Sequence, residues 1–446
     1  MKVLTANRIS AIALAVPVLV LQLGVTRLQS ELGLEAWGSA AAQQKEQQKP
    51  QETRRTPALR NKVYERLAEA QVHAEAKEYT KALNILRDME DDSGKRALNS
   101  YELANLYNLQ AFINYSLEDY KGALRSYEKV VSQPDIPLAM EINTRYTIAQ
   151  LYFVQEQWRR GISALLQWFK VADTPSAQAY ILLGQGYYQI KDYANSLKNT
   201  LTAVNMYKEK GKVPKEQWYS LLRYLYFERN DLPNTIATLE EMIIHYPKKQ
   251  YWVQLSHMYS EAKDEKKQLA AMEAVYVQDL LDKDREQVTM AYLYLNADVP
   301  YKAARVLDKG IANKTVEASS KTLEILGNSW RQAQEVEKSI PVMEQAAAKS
   351  DKGELYVRLG SIYLNNEEYA KAVKAIENGL KRGGVKRVDN ANLALGMAAF
   401  NNRQYSKARR AFTAAARDKR SRRHANQWLA YMQNELDRQR KLAEEA

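Results

Sequence analysis

Histidine exchanges a proton near neutral pH and is the commonest metal ligand. The chain has four, His73, His245, His257 and His424. No two have the spacing that sets a pair around a metal on one helix face, as in H-E-x-x-H. Cysteine is absent from all 446 residues. That excludes thiolate nucleophiles, disulfides, cysteine-bound zinc and iron–sulfur clusters. No phosphate-cradling G-x-x-x-x-G-K-[ST], dinucleotide G-x-G-x-x-G or nucleophile-bearing G-x-S-x-G stands in the sequence. Gly383-Gly384, flanked by Lys381, Arg382, Lys386 and Arg387, has the composition of an anion cradle. Glycine also ends helices routinely, and the pair reads as a turn between helices. The carboxylates are spread as solvated charge. The chain is therefore expected to have no catalytic, cofactor or metal site and to be no enzyme.

The elements that must position any other function are repeated helix pairs. Gly (17) and Pro (11) are scarce while Tyr (29) is abundant, which suits long helices whose packed faces also meet water. The clearest unit is Leu359-Gly360, Tyr363 and then Tyr369-x-x-Ala372. A small residue twelve positions before a second small residue recurs as Ala70/Ala82, Ala111/Ala123, Ala149/Gly161, Gly184/Ser196, Arg223/Thr235, Ser256/Gln268, Ala291/Ala303, Gly327/Ser339, Gly360/Ala372 and Gly396/Ala408. Small residues are needed where two helices touch, because bulk there would hold them apart. An aromatic follows the first small residue by three at Tyr152, Tyr187, Tyr226, Tyr259, Tyr294, Trp330 and Tyr363. Arg223 and Gln268 depart from the pattern, so the fifth and sixth pairs fit it least.

This spacing resembles the tetratricopeptide repeat, W-x2-L-G-x2-Y…A-x3-F…P with a period of about 34. The resemblance implies an all-α fold: a right-handed α-solenoid of about ten helix pairs over residues 63–420, with a C-terminal capping helix over 421–446. In that family the first helices line a concave groove that holds a partner polypeptide. The groove positions here are Phe112, Tyr115, Gln150, Phe153, Gln185, Tyr188, Tyr224, Phe227, His257 and Tyr292, with Asn328 and Arg331 further along. Aromatics make binding hot spots, and amides bond a peptide backbone. The cationic set by which some members grip a C-terminal carboxylate is not supplied in adjacent repeats.

The formal net charge is +12, which favours acidic partners. Cations concentrate at the end of the array, with Arg409, Arg410, Arg417, Lys419, Arg420, Arg422 and Arg423 as a basic patch. At the other end, Lys2 and Arg8 precede an apolar run from Ile9 to Val25, and Ser39 to Ala42 offer small residues for cleavage. Residues 1–42 read as a signal peptide or signal anchor. Residues 43–62, rich in Gln, Lys, Glu, Arg and Pro, read as a flexible polar linker. Export implies a periplasmic location, soluble or held at the inner membrane, and argues against nucleic acid as partner. The layout as a whole resembles the exported tetratricopeptide proteins that accompany TonB/ExbB/ExbD-type energy-transduction systems of gamma-proteobacteria. That resemblance implies a non-catalytic scaffold supporting TonB-dependent iron uptake. The alternative is an envelope-biogenesis factor that binds cell-wall or outer-membrane polymer, or an anionic membrane surface, through the basic repeats.

Overall fold

The computed structural model describes residues 57–91 and 93–445, so the signal or anchor segment and most of the linker lie outside the described residues. Within them every regular element is helical: twenty-one α-helices and one short 3-10 turn, with no strand. The chain divides into two units, one ending at Tyr246 and one beginning at Pro247. The first unit holds five helix pairs: α1 (Asn61–Glu75) with α2 (Tyr79–Glu90), α3 (Ser100–Ser116) with α4 (Tyr120–Ser132), α5 (Leu138–Val154) with α6 (Trp158–Val171), α7 (Ala177–Gln189) with α8 (Tyr193–Glu209), and α9 (Glu216–Glu228) with α10 (Leu232–His245). The second holds five more and a terminal helix: α11 (Lys249–Glu261) with α12 (Glu265–Tyr276), α13 (Asp284–Asn296) with α14 (Pro300–Ala312), α15 (Ser320–Gln332) with α16 (Val336–Ala348), α17 (Glu354–Asn365) with α18 (Tyr369–Arg382), α19 (Val388–Asn401) with α20 (Tyr405–Ala416), and α21 (Arg422–Glu445).

The small residues sit where the pattern places them. Ala70, Ala82, Ala111, Ala123, Ala149, Ala291, Ala303, Ala372 and Ala408 are fully buried. A Cβ on Gly360 would lie 2.3 Å from Cγ1 of Ile376, and one on Gly396 would lie 2.5 Å from the Phe412 ring. In both pairs the residue that fills the glycine's space comes four positions after the second small residue, one turn along the same face. Serine proves equivalent to alanine here, with a bond added. Ser196 Oγ donates to the Gly184 carbonyl at 2.8 Å, and Ser339 Oγ donates to the Gly327 carbonyl at 2.7 Å. The sixth pair is held in the reverse sense, Ser256 Oγ donating to the Gln268 carbonyl at 3.0 Å. Gln268 is only half-buried, so its side-chain amide need not lie between the two helices. At the fifth pair Arg223 and Thr235 are both buried.

Every pair turns in the same way. Lys77, Glu118, Glu156, Lys191, Asn230, Lys263, Asp298, Gln334, Glu367 and Arg403 all have φ between 54° and 62°. Each stands seven residues after the first small residue of its pair. The next residue donates its N–H to the carbonyl five back, as Asp264 does to Tyr259 at 2.9 Å and Glu368 to Tyr363 at 2.9 Å. This is the left-handed helix end that glycine usually occupies, and none of the ten is glycine. The carboxylates of Asp119, Asp192, Asp231 and Asp264 then cap the following helix by accepting from its third N–H.

The terminal helix closes the second unit. Ala425 and Met432 are buried, and Trp428 stacks on Phe412 with centroids 5.6 Å apart. At the other end, Glu102 is fully buried and ties the chain ahead of α1 to α3. It accepts from the Arg60 backbone N–H at 3.0 Å and from its guanidinium at 2.8 and 2.6 Å.

Candidate functional site

Charge is sparse on α3, α5 and α7, and α7 (AQAYILLGQGYYQ) has no ionisable side chain except tyrosine. These three helices lie between their own partners and the pair before them, so little of them meets water. In the first unit the groove positions fall on α3, α5, α7 and α9. Phe112 and Tyr115 are half-buried, and Tyr115 lies edge-on to Tyr120 with centroids 5.6 Å apart. Tyr188 meets Tyr193 at 6.1 Å and Tyr224 at 5.4 Å. Burial, then bonds of its hydroxyl to Tyr193 and Glu228, push Tyr224 well above the usual tyrosine range. Phe227 is exposed. Gln150 and Gln185, at equivalent positions on neighbouring first helices, are half-buried and make no hydrogen bond among the described residues.

Phe153 is a correction. It is only 2% exposed, and its ring fills the space left by Gly161 and Gly186. It belongs to the core between α5, α6 and α7 and offers nothing to a ligand. Gly186, two residues beyond the expected glycine of the fourth pair, is the signal in the sequence that distinguishes Phe153 from Phe227. In the second unit His257 and Tyr292 are exposed, as is Arg331, while Asn328 is half-buried.

The structure sorts the basic patch. Between positions 381 and 434 thirteen Lys and Arg face two Asp, nearly the whole net charge of the chain. Both aspartates are engaged. Asp389, 6% exposed, accepts a bidentate pair from Arg387 at 2.9 and 2.6 Å and a bond from Ser421 Oγ at 2.7 Å. Those bonds, Arg387 first, hold its carboxyl far below the usual aspartate range. Arg420 spans Asp389 and Asp418 at 3.4 and 2.7 Å. Arg422 donates to the Ala416 and Arg417 carbonyls at the end of α20, and Arg409 to Gln433. Arg420 is thus neutralised within the fold, and Arg422 and Arg409 are committed to it. Arg410, Arg417, Lys419 and Arg423 are exposed and without a partner among the described residues. Around Gly383-Gly384, Arg382 donates to the Ser350 carbonyl at 2.6 Å and Arg387 holds Asp389. Those contacts serve the turn between pairs.

One recurring cluster escapes a reading of residue types alone. A glutamate of one second helix accepts from a tyrosine of the next first helix, and a cation of the next second helix stands beside them. Tyr294 donates to Glu273 at 2.6 Å, while Lys302 Nζ lies 2.8 Å from Glu273 and 5.3 Å from the Tyr294 ring centre. Tyr363 donates likewise to Glu344, and Lys371 lies 5.4 Å from the Tyr363 ring while its ammonium pairs with Glu368. In the first unit Tyr152 donates to Glu128 at 2.8 Å, but Arg160 turns to Gln157 instead. A cleft of about 300 Å³ is left there, lined by Glu128, Arg145, Tyr152, Arg160 and Gln167 among others. Among the described residues no three His, Asp or Glu side chains converge as metal ligands would.

Residues 357–422, which span most of α17, then α18 to α20 and the first residue of α21, match the tetratricopeptide repeat family model. No curated protein matches the chain. Among solved structures it is similar to MamA, at 19% identity over 38% of this chain and 90% of that one, with a TM-score of 0.33. A second MamA structure matches at 18% identity over 37% and 94%, with a TM-score of 0.32. The Cut9–Hcn1 hetero-tetramer of APC/C matches at 13% identity over 79% and 80%, with a TM-score of 0.27.

Proposed function

We propose that the tetratricopeptide repeat of residues 357–422 runs through all ten helix pairs, and that the chain is a scaffold without chemistry of its own. Its first helices hold a partner polypeptide. The supporting observation is the face of α3, α5, α7 and α9, where the unbonded amides of Gln150 and Gln185 lie among Tyr115, Tyr188, Tyr224 and Phe227. An amide with a free donor and acceptor in a half-buried setting is suited to a peptide backbone, and the rings give the apolar contact that carries affinity. Lys2 and Arg8 followed by the apolar run from Ile9 to Val25 favour work in the periplasm, and the layout favours a component of a TonB-type system as partner.

The test is cross-linking in the envelope followed by capture of the full chain and of a variant with Gln185→Ala, Tyr188→Ala and Phe227→Ala. Capture of TonB, ExbB, ExbD or a TonB-dependent receptor, reduced at least about tenfold in the variant by loss of two anchors of 1–2 kcal/mol each, is the expected result. Capture dominated by lipoproteins or cell-wall synthases would discard the TonB reading. Equal capture by the variant would discard the groove.

A further inference from the structure

The free cations of the last two pairs form a grid. Lys374 and Lys381 stand two turns apart on one side of α18, about 10 Å along the helix at 1.5 Å per residue. Arg410 on α20 and Arg417 at its C-terminal cap stand at the same spacing, and each is 36 residues beyond its counterpart. All four are exposed and have no ion pair among the described residues. The acid between the two lysines, Glu377, is taken up by Lys407 at 2.8 Å. Thr413 and Ala414 fill the interval on α20, so nothing there cancels the charge. Lys419 and Arg423 extend the cations into the turn before α21 and its first residues.

We propose that this second-helix face docks on an anionic lipid bilayer. A thread-like polyanion needs one row of cations along its track, whereas two rows set one repeat apart match the two-dimensional array of phosphates at a membrane surface. Juxtaposed Lys and Arg attract such a surface over roughly one Debye length, about 8–10 Å at physiological salt. The face carries no exposed aliphatic or aromatic side chain between these cations. The contact is therefore electrostatic and peripheral. It belongs to second helices, so it leaves the first-helix residues of the proposed partner site unoccupied.

The test is flotation of the full chain with vesicles of phosphatidylcholine, with and without phosphatidylglycerol. The apolar run of residues 9–25 acts on both vesicle types, so the ratio between them reads the charged face. The expected result is a preference of about tenfold or more for the anionic vesicles, lost as salt is raised. It should also be lost in the combined variant Lys374→Gln, Lys381→Gln, Arg410→Gln and Arg417→Gln. These side chains hold nothing within the fold, so the variant should keep the helical circular dichroism of the parent. No preference in the parent, or an unchanged preference in the variant, overturns the proposal. So does binding of a soluble polyanion such as heparin that depends on the same four residues while anionic vesicles are ignored.

Discussion

A methyl group at Gly360 would lie 2.3 Å from Ile376 Cγ1 and 3.1 Å from the Ala372 carbonyl, and the second of those neighbours is backbone that cannot swing away. Gly360→Ala should therefore destabilise by about 1–3 kcal/mol, the usual cost of overpacking. That exceeds the gain of up to about 1 kcal/mol that alanine brings as a helix former. A urea titration of the variant should show a lower midpoint; an unchanged midpoint would mean the two helices are free to part. Asp389 makes a different kind of demand. Its carboxylate is buried and bonded to Arg387, Ser421 and Arg420, so its pKa is lower folded than unfolded. A depressed carboxylate contributes its full stability above the unfolded value, near 4, and loses it as pH falls through the folded value. Glu102, whose carboxylate accepts from Arg60 and from the Asn99 backbone N–H, acts in the same direction. Stability should accordingly decline below about pH 4. Asp389→Asn should flatten that decline while costing about 1–3 kcal/mol at neutral pH through its lost bonds. Denaturant midpoints from neutral to acid pH read both effects.

At the scale of the element, the ten left-handed turns explain how pairs of unequal loops keep one geometry. Lys263, with φ of 58°, is exposed and its side chain holds nothing. The left-handed conformation costs a non-glycine residue about 1–2 kcal/mol, and glycine's added chain freedom offsets part of this. Lys263→Gly should raise stability by about 0.5–1 kcal/mol by this reasoning, visible as a higher melting temperature. A fall would show that the turn owes its shape to the lysine. The second helices divide labour with the first. In α18 the stripe Ala372, Val373, Ala375, Ile376 and Gly379 is buried while Lys374 and Lys381 face water. In α3 burial runs from Glu102 to Ile113 on several sides. The open face of α18 is therefore free to carry charge, and α3 has little room for it. The Glu–Tyr–Lys clusters at Tyr294 and Tyr363 lie on the seam between successive pairs, and the cleft at Tyr152 marks the seam where the cation has turned away.

For the whole molecule, that division places two proposed surfaces on different helices: a nearly neutral one for a polypeptide and a cationic one for a bilayer. Binding by rings and amides should tolerate salt, and binding by unpaired cations should not, so ionic strength separates them. The sequence by itself determined the helix pairs, their number and their register. Those rest on Cβ atoms that do not fit between touching helices, a constraint written directly in residue type. It also determined that charge collects at the C-terminal end. The left-handed residue of each turn was not legible, because Lys, Glu, Asn, Asp, Gln and Arg all occupy it and the conformation is imposed by the helices it joins. Neither was the fate of individual side chains. Phe153 and Phe227 hold equivalent positions, yet only Phe153 has Gly161 and Gly186 beside it to make room. Arg420 and Arg423 are three residues apart, yet only Arg420 reaches Asp389. Burial and pairing depend on what a neighbouring helix presents across a few ångströms, and that is fixed only once the pairs have stacked.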